Sequence, residues 1–328
     1  MATTRLSDVI VPVEFTDYVV QNTMEKTALT QSGVATRNGV IETQLSAGAE
    51  SFTIPNWFDL GNEEANIVND DPADLSVPYK INAGKQLVRK SFLHNSWSAM
   101  NLASELSGDD ALQRIRSRTA AYWERQMQRR LIASLNGVIA DNVANDASDM
   151  VLDISALVGD AAKFSATAVI DATAELGDNL SAVTAIAMHS DIYRAALKAD
   201  LIAFIPQSEG KPIRMYRGLA VIVDDGLPSA GGNYTTALFG PGAVGWGFTA
   251  PRIAEGTEIE NLPSAGNGGG QQILHSRANL AIHPAGFTWQ EASVVGESPS
   301  IAELDDAANW NRVFERKAIP LAFLISKV

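Results

Sequence analysis

The chain has 328 residues, 46% of them hydrophobic and 19% charged, with a net charge of −13 and no cysteine. That length buries a large core and fits about two domains of an ordinary globular protein. The acidic balance speaks against a general nucleic-acid binder, and the missing cysteines remove disulfides and thiolate metal sites.

The first 47 residues read as an arm. VIVPVEF is a short extended piece interrupted by Pro12, Asp17 to Leu29 fits a helix, and SGVATRNGVIETQLSAG carries turn residues without a core-sized apolar block. The opening MATTRLSDVIVPVEF has no secretory pattern, and no apolar run reaches the ~20 residues a membrane helix needs, so cytosolic synthesis and no membrane partner are expected.

SFTIPNWFD (51–59) reads as a strand, and VPYKINAGKQLVRKSF (77–92) as its return. Between them GNEEANIVNDDPADLS is polar and turn-rich. Residues 59–74 hold six acids and no base, whereas residues 80–130 hold ten Lys/Arg against four Asp/Glu. Two strands alone are marginal in water, so this projection is expected to rest on a partner. Asn95 to Leu106 reads as a short helix.

Asp109 to Asn142 is the strongest local signal. No glycine or proline interrupts it before Gly137, and Asp109 and Asp110 suit the positive end of a helix dipole. Leu112, Ile115, Thr119, Tyr122, Trp123, Met127, Leu131, Leu135 and Val138 share one face, with Arg114, Arg118, Arg125 and Arg129 on a stripe outside it. The spacing predicts a structural beam roughly 50 Å long.

Beyond the beam, Asp146 to Val158 reads as a connection and Ser165 to Leu176 as an amphipathic helix. TAIAMHS (184–190) is a strand leading into a helix at 191–200. RGLAVIVDDGLP (217–228) and YTTALFGPGAVGWGF (234–248) add further strands, which suggests an α/β unit over roughly 160–265. After the loop SAGNGGG comes QQILHSRANLAIHPAGFTWQ, read as a strand pair turning at His283–Gly286. A helix capped at Ser298 or Ser300 and one terminal strand close the chain.

No catalytic or cofactor site stands out, and no cofactor or metal is expected. GPGAVG (240–245) matches G-x-G-x-x-G, but WGFTAPR after it cannot start a helix, so a turn is the simpler reading. His275 and His283 lie roughly 26 Å apart along a strand, too far to share a metal. His189-Ser190-Asp191 stands at a strand-to-helix junction, where Ser190 or Asp191 serves as an N-cap. The Arg stripe could be a solvated face, a phosphate contact, or the seat of an acidic protein partner.

The order of these pieces resembles the major capsid proteins of tailed double-stranded-DNA bacteriophages. AIAMHSDIYRAALKAD is similar to a strand-then-helix phrase of that family. YRGLAVIVDDGLP followed by TTALFGPGAVGWG resembles its axial strands. ILHSRANLAIHPAGFTW (Arg277, His283, Pro284, Gly286, Phe287, Trp289) and the C-terminal stretch with Asn309, Trp310 and Lys317 to Pro320 agree as well. The resemblance implies an α+β Hong Kong 97-type capsid fold: N-terminal arm 1–47; extended β-hairpin loop 48–94; peripheral domain 95–158 with a spine helix at about 109–142; axial domain 159–265; and at 266–328 returning peripheral strands, a C-terminal helix and a strand. It implies a structural, non-enzymatic protein that builds an icosahedral shell of pentamers and hexamers around phage DNA in the virion. Its expected partners are further copies of itself, a separate scaffolding protein, a portal, decoration proteins and non-specifically touched DNA. Lys80, Lys85 and Asn69 lie where some relatives crosslink, with nothing in their spacing to single them out.

Loop and beam together give an expected contact between subunits. Glu63, Glu64, Asp70 and Asp71 would lie against a neighbour's Lys80, Lys85, Arg89 and Lys90 or its Arg114, Arg118, Arg125 and Arg129. If the stripe instead faces the lumen, it would touch phosphate without sequence preference. Rival readings are an encapsulin-type bacterial nanocompartment shell, an α/β hydrolytic enzyme using His189, Asp191 and Asp224, and a secreted adhesin.

Overall fold

The computed structural model describes residues 29, 32, 34–61, 63–73, 75–177, 182–205 and 213–328. The extended piece and the helix expected before Leu29 lie outside them; Leu29 itself is fully buried.

The described chain opens with β1 (Ala35–Arg37) and α1 (Gly39–Leu45), which is capped by the Asn38 side chain accepting from Val40 N–H. This helix was not expected, because seven residues give too little period to read. Its Ile41 and Leu45 pack with Phe52, Val88 and Ala281 in a small separate core. Phe52 lies on β2 (Ser51–Trp57) and Val88 on β3 (Ala83–Arg89), which pair antiparallel with Ser51 opposite Arg89 and Trp57 opposite Ala83. The root of the projecting loop is thus pinned. Beyond it, residues 58–82 hold no helix or strand among those described.

β4 (Ser91–Met100) corrects the helix expected from Asn95. It pairs with a later strand over its whole length, and α2 (Asn101–Ser107) begins only after it. Ten residues of ladder pairing override the local helical preference. α3 (Ala111–Asn145) is the expected beam, 35 residues long, with the Asp110 carboxylate accepting from the N–H groups of Leu112 and Gln113. Gly137 lets it approach the C-terminal segment closely. A Cβ there would stand 2.2 Å from the Leu304 carbonyl oxygen and 2.4 Å from Trp310 Nε1.

β5 (Val151–Asp153), α4 (Ala166–Ala174), β6 (Ala185–Met188), α5 (Ser190–Lys198), β7 (Ile202–Ile205), β8 (Ile213–Tyr216), β9 (Leu219–Val223) and β10 (Tyr234–Phe239) follow. The hairpin of β7 and β8 was not expected. The chain then crosses to a second sheet through β11 (Val244–Thr249), β12 (Thr257–Leu262) and β13 (Gln271–Pro284). It ends with β14 (Phe287–Trp289), α6 (Ile301–Leu304), β15 (Trp310–Arg312) and β16 (Leu321–Ser326). Ser300 and Glu303 form a capping box at α6.

Among the described residues one sheet runs β5-β16-β10-β6-β9-β8-β7, and a second runs β1-β11-β13-β12 with β4 also on β13. Two expectations change. β11 and β12 leave the α/β unit and join β13, so the turn at Gly240–Gly242 is a crossover between sheets. β14 pairs with β15, not back onto β13, because the terminal segment reaches across to cover it.

One core cluster joins the second half of α3 to β10, β14, β15 and β16; another lies under α4 and α5. The burial of α3 is uneven. Between Gln128 and Asn142 it is mostly buried, with Leu131 to Leu135, Gly137, Val138, Asp141 and Asn142 all buried. From Ala111 to Ala120 only Leu112 is.

Replacing Gly137 with Ala tests the close approach. On helix propensity alone alanine gains about 1 kcal/mol. The clash is expected to reverse that sign, for a net loss of about 2 kcal/mol in urea unfolding of the unassembled chain. A stabilised variant would contradict the packing.

Candidate functional site: an acidic, apolar loop tip and a basic groove

The four tip acids stand in water on the unsupported stretch: Glu63, Glu64, Asp70 and Asp71 are all exposed. Between them Ile67 and Val68 are 87% and 94% exposed, and Leu60, Leu75, Val77, Tyr79, Ile81 and the strand residue Trp57 are also largely bare. Sequence reading missed these apolar residues because they are scattered among turn and acidic residues and follow no period. So many exposed large apolar side chains on one projecting stretch mark it as a candidate contact surface.

The structure divides the twelve residues expected at the contact. Lys80 and Lys85 are exposed on the returning arm of the loop. Arg89 and Lys90 are buried and spent within the chain, which corrects their place in the list. The Arg89 guanidinium donates to Glu50 at 2.7 Å and to the Glu297 carbonyl at 3.0 Å, and Glu291 stands 3.0 Å away. That charge holds the Glu50 carboxyl below its usual range. Lys90 Nζ, wholly buried, donates to the carbonyls of Gln44 and Ala47 at the end of α1. Both cations anchor the root of the loop. A buried cation facing backbone carbonyls cannot also meet a neighbour.

Arg114, Arg118 and Arg125 converge. With Trp97, Ile115, Thr119 and Tyr122 they line a groove of about 310 Å³ along the first half of α3. Trp97, from β4, meets Tyr122 edge-on with centroids 5.1 Å apart and makes an apolar floor. Arg114 also pairs with Asp109 at 3.0 Å. Arg129 lies apart, in a larger cavity of about 760 Å³ with Gln128, Asp224, Asp225 and Asp305. Period alone cannot find this groove, since Trp97 comes from a different element.

Two residues outside the expected set hold the surroundings in place. Arg130 is buried and donates to Ser91 Oγ at 3.1 Å and to the Pro299 carbonyl at 2.9 Å, tying α3 to β4 and to the approach to α6. Burial brings its pKa down to about 10, and it stays charged at neutral pH. His283 Nε2 bonds Gln86 Oε1 at 2.9 Å, and Gly286 N–H reaches the same oxygen. This links the loop strand β3 to the turn after β13.

His189 caps α5 itself: its Nδ1 accepts from Asp191 N–H, and Asp191 is taken by Arg194 and Tyr234. Asp224 accepts from Gln128 Nε2 and from Gly226 N–H. Each of the three candidate catalytic residues therefore has a structural task. Among the described residues no helix is long and apolar enough to cross a membrane.

A long helix half enclosed and half grooved, a projecting loop and two sheets define a Hong Kong 97-type capsid fold. Residues 107–319 match the Gp13-like family, described as major capsid protein 13-like. The chain is 37% identical over 327 residues to the major capsid protein of Bacillus phage SPP1, covering 97% of each. It belongs to this family of major capsid proteins. In structure it is similar to the capsid of cyanophage Pam1 (TM-score 0.57, 10% identity, covering 97% and 98% of the two chains). It is also similar to the SrpI encapsulin of Synechococcus elongatus (TM-score 0.54, 10% identity, 95% and 91%). The fold is common to phage shells and encapsulins, and the family match favours the former.

Burial lowers the His283 pKa to about 4 from 6.5. Above pH 6.5 both folded and unfolded chains hold it neutral; as pH falls toward 4 only the unfolded chain gains the proton, so stability is lost. Between pH 7 and 5 this residue's share is about 2 kcal/mol. His283→Gln, which keeps a donor for Gln86, is expected to remove that part of the slope in denaturant unfolding. An unchanged slope would contradict a buried neutral imidazole.

Proposed function

We propose that the chain assembles as pentamers and hexamers into an icosahedral shell around phage DNA, and that the loop tip of one copy seats in the groove of the next. The observation that carries the contact is complementarity. The tip is apolar with an acidic rim; the groove has an apolar floor and three arginines. Among the described residues the tip side chains stand exposed, and a second copy supplies a surface of the right chemistry.

Magnitudes divide the labour. Burying Ile67 and Val68 contributes roughly 1.5–3 kcal/mol each. Each exposed ion pair contributes about 0–1 kcal/mol and is screened by salt. Apolar contact therefore supplies affinity, and charge sets register. Repeated over many copies, weak register terms decide whether a shell closes.

The remaining parts of the proposal follow from family membership. A separate scaffolding protein guides assembly in the host cytoplasm, a portal occupies one vertex, and decoration proteins bind outside. DNA is touched without sequence preference, and the negative charge lets it pack and leave. The arm, loop, peripheral and axial regions divide near residues 47, 94 and 158, with the axial unit built on β6 to β10 and its sheet extended by β16 and β5 from outside that span. The role is structural rather than catalytic, since His189, Asp191 and Asp224 are occupied in capping and turns.

Reversing Glu63, Glu64, Asp70 and Asp71 to Lys is expected to abolish regular closed particles at low salt, with partial recovery near 1 M salt where the screening length falls to about 3 Å. Electron microscopy with sedimentation reads both. Normal particles from the variant at low salt would overturn the contact. Particles holding one host enzyme and no DNA would turn the reading to an encapsulin.

A further inference from the structure

We propose that His94 and His275 form a two-histidine site for a divalent cation of the zinc or copper class, on the sheet face turned away from α3. β4 and β13 run antiparallel with Arg277 opposite His94 and His275 opposite Ser96, so the two imidazoles are diagonal neighbours. Ser276, with the opposite parity, bonds Trp123 of α3, which puts His275 on the other face. The two side chains are carried by a ladder, not by a loop, and their spacing is fixed by backbone pairing.

The spacing is that of a ligand pair. His94 Nε2 lies 3.2 Å from His275 Nδ1. A tetrahedral zinc ion with nitrogen ligands at 2.0–2.1 Å holds two of them about 3.3 Å apart. Glu260 completes the arrangement from β12. Its Oε2 stands 3.1 Å from His275 Nε2, where it is placed to accept a proton from that nitrogen and leave Nδ1 for a ligand. A carboxylate on the far nitrogen is the usual orienting partner of a metal-bound imidazole. On binding, the ion replaces the proton between the rings. His94 moves that proton from Nε2 to Nδ1, and both rings stay neutral.

The surroundings admit a cation. Arg277 is paired with Glu258 at 2.9 Å, so with Glu260 the local charge is one negative. His94 is exposed, which gives the ion a route in. No group of three or more His, Cys, Asp or Glu converges among the described residues, so water fills the remaining positions. Imidazole with water selects zinc or copper over magnesium or calcium. The ion would staple β4 to β13 close to the root of the loop, because β4 follows the loop strand β3 after one residue.

The chain has only four histidines and no cysteine, so the assignment is clean to test. Equilibrium dialysis of the folded chain against Zn²⁺ is expected to give one ion per chain. His94→Ala and His275→Ala should each weaken binding at least ten-fold. Glu260→Gln should keep the stoichiometry and weaken binding about 10–100-fold, as loss of an orienting partner does. His189→Ala should leave binding unchanged. Zinc should raise the melting temperature of the parent and leave that of His94→Ala where it was. The exposed His94 decides the matter should His275→Ala fail to fold. Absence of binding in the parent, or retention by His94→Ala, would overturn the site. The readout uses unassembled chain and does not depend on the shell.

Discussion

The constraint on which the molecule depends is the uneven covering of one 35-residue helix. Its second half is enclosed by the sheet ending in β16, by α6 and by Trp310, and Gly137 allows the closest of these approaches. Its first half rests on the sheet, where Trp123 bonds Ser276 of β13 and meets Phe248 of β11, and it keeps a groove on its flank. A helix this long cannot be stable on propensity alone; it needs tertiary cover. The chain supplies that cover to one end and leaves the other half less buried, with Leu112 alone buried between Ala111 and Ala120.

The loop mirrors this arrangement. Its root is fixed by Phe52 and Val88 against α1, by Arg89 on Glu50 and by Lys90 on two carbonyls. Its tip bears exposed Ile67 and Val68, which no described part of the chain covers. A rigid root and an uncovered tip suit an element that reaches outward. Arg89 and Lys90, expected at an interface, instead anchor the root, and Arg114, Arg118 and Arg125 further along the chain line a groove on α3.

Much of this was legible in sequence, for physical reasons. A run from Asp109 to Asn142 with no glycine or proline before Gly137 has one reasonable fold, and Ser300 three residues before Glu303 is a complete capping signal. The acidic tip was visible as a charge block. What failed were features set by distant pairing. The second half of β4, from Asn95, reads locally as a helix because its ladder with β13 lies about 180 residues away in sequence. β14 finds β15 and not its neighbour, and β11 abandons β10, since neither choice is encoded locally. The groove joins Trp97 to residues 114–125 and exists only after β4 has been placed. The apolar content of the tip was present in the letters but lacked a period to mark it.

The most direct measurement uses the absence of native cysteine. Val68→Cys and Arg118→Cys in one chain place a single pair of thiols at the tip and the groove. Under mild oxidation of assembled particles, disulfides between neighbours are expected to give a covalent ladder up to rings of five and six copies, while the unassembled chain stays a single band. Assembled particles that yield no ladder, or a crosslink closing within one chain, would contradict the tip-to-groove contact.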